Sequence, residues 1–286
     1  MTLVAVITPV YVSPEFPSRL ELFDKTVASV NMLRSDETTH LHIVVDDEST
    51  DPAGLKRVLE KYDDGRIRYL RRQRKGTDLK TASNALNFGI DAVLDGHEMI
   101  PEYKNIDSVT PLHSDDLVYD IASRAKCLEP ADVGAAVSKI VVLREGTERI
   151  HEPDFTMSAR DYVAQGVAPY PVASIMWKSS TLAGMRKQNR EKLPRAQRFE
   201  GIYHPDFVNV EDVLVAKLTA LYLCHANLRI AVSEEISMLY RYHQDSLRGY
   251  HQDSLRGKTK QNLWNLNERM MAKMYYEILS WDHLSP

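Results

Sequence analysis

Two aspartate pairs, Asp46-Asp47 in VVDDESTD and Asp115-Asp116 in LHSDD, are the residues of this chain whose type and placement could do chemistry. Each follows an apolar or β-prone run, and a parallel strand that ends in carboxylates delivers them to the rim where open α/β sheets bind ligands. One pair could accept hydrogen bonds from a nucleoside while the other holds a hard divalent cation against a diphosphate. That combination points to nucleotide-sugar chemistry. A third acidic pair, Glu211-Asp212, opens the apolar helical run VLVAKLTALYL, where the helix dipole favours ionised carboxylates beside a cleft.

The elements that must position these pairs alternate between β and α patterns. LVAVITPVY is a β-branched run in which Pro9 lacks the N–H that a central strand needs, so the strand is expected to stop there. Leu22, Val27, Val30 and Leu33 then fall on helical spacing within Leu20 to Leu33. His40 to Val45 forms a strand ending at Asp46-Asp47, and Ser49, Thr50 and Asp51 offer capping side chains for a helix through Lys61. Ile67 to Leu70 reads as a short strand, and Thr81 to Leu94 as a helix with Ala82, Ala85, Leu86 and Ile90 on one side. Ser108 to Leu112 is the strand feeding the second pair, unless helical spacing resumes at Leu117 and the aspartates cap a helix. Such alternation predicts an α/β fold with a mostly parallel sheet and right-handed crossovers.

Beyond about residue 135 the pattern loosens into a strand over Ala136 to Leu143, a polar segment from Arg144 to Arg160, and apolar stretches at Ile175 to Met185 and Phe207 to Leu223. The run from Val213 to Val232 contains Lys217, His225 and Arg229. At roughly 2.5 kcal/mol or more for each central Lys or Arg, it reads as helix followed by strand, not as a membrane span.

At 286 residues the chain can bury a sizeable core as one large α/β domain, or as a core with an appendage. A formal charge of -4 argues against a protein that coats nucleic acid. The seven basic residues from Arg66 to Lys80 have only Tyr69 interleaved, and most read as a solvated strand end and loop. Cys127 and Cys224 lie far apart without C-x-x-C spacing, which suggests neither a disulfide framework nor a zinc site and fits a reducing cytoplasm. A strand pattern from Leu3 with no basic n-region before it does not read as a secretory signal.

The octapeptide YHQDSLRG at Tyr242 to Gly249 recurs letter for letter at Tyr250 to Gly257. Eight residues fall below the periods of about 20–50 that build solenoids, so a loop-lengthening duplication is expected. Leu263, Leu266, Met270, Met274, Ile278 and Trp281 then form a helical stripe suited to core packing or a homodimer contact.

Taken in order, ITPVY, VVDDESTD, ALNFGIDAV, HSDD, VNVEDVLVAKL and YRYH resemble the inverting family 2 glycosyltransferases of the GT-A fold over roughly residues 3 to 245. The resemblance implies transfer of a sugar from a nucleoside-diphosphate donor, UDP favoured, to the hydroxyl of a glycan or other acceptor, assisted by Mg2+ or Mn2+. It implies that Thr8, Pro9 and Tyr11 line the base and ribose and that Asp47 hydrogen-bonds the base, with Asp46 a helix cap or a partner of the nucleotide. Lys80 would lie near the donor phosphates, although Gly76 stands farther from Ala85 than the family pattern has it. Asn87 keeps its place in ALNFG and either meets the nucleotide or fixes nearby loops. By the same likeness, Asp115 contacts ribose or metal, Asp116 ligates the cation, Arg241 faces the diphosphate and His243 completes the metal shell, with His251 offering an identical context. Asp212, with Glu211 the alternative, would be the base that takes the acceptor's proton, and Trp177 would stack on the acceptor or sit in the core. The chain then divides into a nucleotide-sugar half, 1–135, an acceptor half with the ED pair, 136–240, and a repeat-bearing loop and helix, 241–286.

Two other readings remain. Sugar nucleotidyltransferases share the β-α core but carry a glycine-rich loop after the first strand, and TPVYVSPEFPSR contains no glycine. A catalytically silent nucleotide-sugar binder would be separated by donor hydrolysis with and without Mn2+.

Overall fold

A computed structural model describes residues 1–14, 16–73, 82–144, 146–153, 172–193, 198–204 and 211–242. The first half forms β1 (Thr2–Val10), α1 (Pro17–Met32), β2 (Thr38–Asp46), α2 (Pro52–Tyr62), β3 (Ile67–Arg71), α3 (Ala82–Asp95) and β4 (Ser108–Pro111). Then come β5 (Leu117–Val118), α4 (Ala122–Cys127), β6 (Val133–Arg144), β7 (Thr147–His151) and β8 (Met176–Lys178), followed by α5 (Ser179–Glu191), α6 (Glu211–His225) and β9 (Arg229–Tyr242). These strands make one sheet in the order β3-β2-β1-β4-β8-β6-β9-β5, with β7 paired to β6.

β1 pairs parallel with both β2 and β4, and β2 with β3, as the alternating pattern requires. From β8 onward the sheet is mixed. β8 runs antiparallel to β4 and β6, β9 runs parallel to β6, and β5 runs antiparallel to β9. Pro9 does not stop β1, which continues to Val10 opposite Asp46. The Ile7 carbonyl accepts from Leu112 N–H, but the ladder with β4 ends there. Two residues on, Pro9 faces the same side, now without a neighbour, so its missing donor forfeits no ladder bond.

Two apolar layers sandwich the sheet. On one face Ala5, Ile7, Ile43 and Val45 pack with Leu86 and Ile90 of α3 and Leu214, Val215 and Leu218 of α6. On the other, Val4 and Val6 meet Val30 of α1 and Ala125 of α4, while Val10 and Val44 meet Phe23, Val27 and Leu55. Gly89 lets α3 approach the sheet closely, because a Cβ there would stand 2.6 Å from Ile7 Cγ2. α6 is buried nearly all round and leads into β9, so the apolar run around Lys217 is a core helix followed by a strand. Among the described residues no helix is long and apolar enough to cross a membrane.

β2 carries two buried histidines. His42 lies 2.9 Å by Nε2 from the Thr8 hydroxyl, and burial pushes its pKa down to about 3. Burial and the Arg66 guanidinium push His40 to about 4. Both are neutral in the fold but protonate near 6.5 when unfolded, so their contribution is complete above pH 6.5 and is lost as pH falls towards the folded values. Between pH 7 and 5, His42 alone is expected to cost about 2 kcal/mol of unfolding free energy. Urea melts at both pH values, run beside His42→Gln, isolate this from carboxylate titration. Equal losses in the two proteins would show that His42 is not held neutral.

Candidate active site

The parallel register brings the carboxyl ends of four strands to one rim. Val10 of β1 lies opposite Asp46 of β2, Asp46 opposite Arg71 of β3, and Ile7 opposite Pro111 of β4. The chain steps from β1 outward to β2 and β3, then crosses back to place β4 on the other side of β1. Between β1 and β4 the strand order reverses, and ligands of open α/β sheets bind in the crevice at such a point. The two aspartate pairs flank it.

The first pair divides its labour. Asp46 is wholly buried, accepts from Ser49 N–H at 2.7 Å and from the Tyr69 hydroxyl at 2.7 Å, and so ties the turn after β2 to β3. Neither member caps α2, whose N-cap is Asp51, accepting from Gly54 N–H at 2.8 Å. Asp47 instead forms an ion pair with Arg72, Nη1 to Oδ1 2.7 Å, with both side chains nearly buried. The turn is stitched to β1 by Val12 N–H donating to Ser49 Oγ at 2.8 Å and Thr50 N–H donating to the Val12 carbonyl at 3.0 Å. Glu48 sits just before them at φ 57, a left-handed conformation that side chains rarely adopt, held by this stitching.

Arg72 escapes a reading that assigns the basic run to solvent. Its signal is positional: it follows the end of β3 just as Asp47 follows the end of β2. Thr8, by contrast, is fully buried, with its hydroxyl on His42, so its side chain packs within the core. Pro9 is buried and Tyr11 half-buried at the end of β1.

The second pair lies in the segment between β4 and β5, held between α1 and β9. Thr26 of α1 donates to the Asp116 carbonyl at 2.7 Å, and Ser29 Oγ accepts from Val118 N–H at 3.2 Å. Asp116 is wholly buried, and its Oδ1 accepts from Arg241 N–H at 2.9 Å, whereas Asp115 is half-buried. No helix begins here: Leu117–Val118 is a strand, and α4 starts only after Ile121, with Asp120 Oδ1 accepting from Ala122 N–H at 2.9 Å. The Arg241 guanidinium donates to the carbonyls of Asp115 and Leu22.

Two adjacent carboxylates at a sheet rim suit a hard divalent ion that keeps water and phosphate oxygens in its remaining positions. Among the described residues no three His, Cys, Asp or Glu side chains gather into a fuller shell. His243, His251 and Lys80 lie outside the described residues.

Glu211 and Asp212 open α6. The chain leading towards them is fixed by two asparagines. Asn87 of α3 accepts on Oδ1 from Ile202 N–H and Tyr203 N–H, each at 2.9 Å, and donates to the Tyr203 carbonyl at 2.6 Å. Asn189 of α5 donates to the Gly201 carbonyl at 3.0 Å. Gly201 has φ +103, and a Cβ there would stand 2.6 Å from the Asn87 amide, so glycine is required. Asn87 thus fixes a loop, the second of the two roles the sequence offered for it. No pattern in the sequence marks Asn189 as its counterpart.

Trp177 is also not an acceptor platform. It is fully buried in β8, and its indole N–H donates to Thr219 Oγ1 at 3.2 Å, leaving neither ring face open. A large aromatic with a satisfied polar edge is a core residue.

No family model matches the chain, and no curated protein matches it by sequence. Solved structures do match. The crystal structure of S. aureus TarS 1-349 in complex with UDP-GlcNAc aligns with a TM-score of 0.62 at 15% identity, over 99% of this chain and 68% of that one. The mannosyltransferase PcManGT from Pyrobaculum calidifontis, in complex with GDP-Man and Mn2+, aligns at 0.52 and 17%, over 99% of this chain and 65% of that one. GalNAc-T7 with UDP, GalNAc and Mn2+ aligns at 0.55 and 13%, over 89% and 46%. The chain spans about two thirds or less of the length of each of these three. At such identities the likeness establishes the fold: a curled, mixed sheet flanked by helices, of the GT-A glycosyltransferase type.

Proposed function

We propose that this chain is an inverting, metal-assisted glycosyltransferase of family 2 that moves a sugar from a nucleoside-diphosphate donor, UDP favoured, to an acceptor hydroxyl. The observation that carries the reading is the placement of two aspartate pairs on either side of the strand-order reversal, in a GT-A sheet. Its structural neighbours hold UDP-GlcNAc, or GDP-Man with Mn2+.

In this reading the Asp47–Arg72 pair meets the base, the carboxylate accepting from a ring N–H and the guanidinium donating to a ring carbonyl. Asp115 and Asp116 would hold Mn2+ or Mg2+, joined by His243. When bound, the cation neutralises charge on the departing diphosphate. Asp212, at the start of α6, takes the proton of the acceptor hydroxyl as its oxygen attacks the anomeric carbon from the face opposite the leaving group. The bond between that carbon and the diphosphate oxygen breaks, and the configuration inverts. Residues 1–135 would supply the donor site and 136–240 the acceptor side, while the repeat and the apolar stripe expected within 241–286 lie, from residue 243 on, outside the described residues. The free cysteines Cys127 and Cys224 favour a cytoplasmic setting.

A thermal-shift screen of UDP-, GDP- and dTDP-sugars with and without Mn2+ tests the proposal, since a donor at about 100 times its Kd stabilises by about 2.7 kcal/mol. UDP-sugars are expected to give the largest shift, and only with Mn2+ to reach its full size. A protein that no nucleotide sugar stabilises in either condition overturns the reading. One that binds the donor yet neither hydrolyses nor transfers it is the silent binder.

A further inference from the structure

The segment carrying Asp115 and Asp116 follows β4 as an irregular stretch, yet cation ligands must be held to within a few tenths of an ångström to bind well. Two side chains from distant parts of the sequence supply that constraint. Arg241, near the end of β9, reaches across the segment: its Nε donates to the Asp115 carbonyl, and its Nη2 donates to the Leu22 carbonyl at 3.3 Å and lies 3.5 Å from Thr26 Oγ1. Its backbone N–H donates to Asp116 Oδ1 at 2.9 Å. Thr26 closes the loop from the helix side, with its hydroxyl 2.7 Å from the Asp116 carbonyl and 3.0 Å from the Ser114 carbonyl. Arg241 therefore ties the end of β9 to α1, to the backbone of Asp115 and to the carboxylate of Asp116.

We propose that Arg241, together with Thr26, is a positioning residue for the cation-binding aspartates and does not contact the diphosphate itself. Two donors of its guanidinium go to carbonyls of the protein, and its backbone N–H goes to a carboxylate oxygen. The planar fork of a guanidinium suits this task, because one side chain can serve several acceptors at fixed angles, which an ammonium cannot. Its positive charge beside two adjacent carboxylates also offsets their mutual repulsion before any cation arrives. The inference rests on the glycosyltransferase reading, which makes Asp115 and Asp116 the metal ligands.

Calorimetric titrations of UDP and of Mn2+ into the full chain separate the alternatives. In EDTA, Arg241→Ala is expected to bind UDP within about twofold of wild type. With UDP saturating, its half-saturating Mn2+ concentration should rise at least tenfold, the usual scale for losing a partner that orients a ligand. Thr26→Val, nearly isosteric and safer for the fold, should move the Mn2+ titration in the same direction by a smaller factor. Arg241→Lys should recover only part of the loss, because it keeps the charge but not the fork. An Arg241→Ala protein that loses UDP affinity in EDTA while keeping its affinity for uridine would make Arg241 a diphosphate ligand and overturn the proposal. An unmoved Mn2+ titration in both Arg241→Ala and Thr26→Val, with folds intact by circular dichroism, overturns it as well. A wild type that binds neither UDP nor GDP with Mn2+ present overturns the functional reading and this one with it. Normal wild-type binding beside unmoved variants overturns this one alone.

Discussion

Replacing Asp212 by Asn is expected to lower turnover roughly 10²-fold or more while donor affinity stays within about twofold. Asn keeps the shape and the hydrogen-bonding reach of the carboxylate but cannot take a proton. A hydroxyl becomes acidic only as its oxygen bonds to the anomeric carbon, so the missing base is felt in the transition state and not in the donor complex. Under the proposed function the donor is held elsewhere, by the rim of β1 to β4, which leaves its affinity independent of α6. Steady-state kinetics with donor calorimetry measure both quantities. If Glu211→Gln gives this profile and Asp212→Asn behaves as wild type, the base is Glu211. Two variants with unaltered turnover would remove the catalytic assignment from the pair altogether.

Asp116→Asn is expected to abolish measurable transfer and to weaken donor binding only when metal is present. An Asn oxygen can still accept from Arg241 N–H, so the bond that holds this residue to β9 survives and the change removes charge in place. Asp47→Ala makes the contrast, because it strips Arg72 of its partner and should weaken nucleotide binding with metal and without it. Equal losses for Asp116→Asn in Mn2+ and in EDTA would assign it to the nucleotide or to the fold and not to a cation. An unchanged dissociation constant for Asp47→Ala would remove Asp47 from the base.

The parts of the fold legible in the sequence are those where burial imposes a period. β1 to β4 and α1 to α3 each carry an apolar face that meets the sheet or its helices, so strand and helix spacing are written into the residues. β5 and β8 have two and three residues, too few to show a period, and the five residues of β7 are exposed throughout, so no apolar face marks it. What defines them is their partner strand, which lies elsewhere in the chain. The site divides in the same way. Aspartates after strands could be read because chain polarity alone sends them to the rim. Arg72 was hidden in a basic run, and the roles of Asn87, Asn189 and Thr26 depend on bonds to residues far away in sequence. Trp177 and Thr8 show the converse: residue type suggests a ligand, while the face of the strand they occupy turns them inward.

The bond between Arg241 and Asp116 joins residues 125 positions apart. During synthesis at about 5–20 residues per second, that separation is a wait of roughly 6 to 25 s between the emergence of the two ends. β1 to β4 can pair during this interval, since each contact among them lies within the first 111 residues. The segment bearing Asp115 and Asp116 cannot be held in the same way until β9 has been made and has laid itself beside β6, a pairing whose long loop is slow to close. A nascent chain therefore acquires the rim of β1 to β4 well before it can order the segment of Asp115 and Asp116, and under the proposed function a metal-assisted step would become available only to a molecule whose sheet is complete.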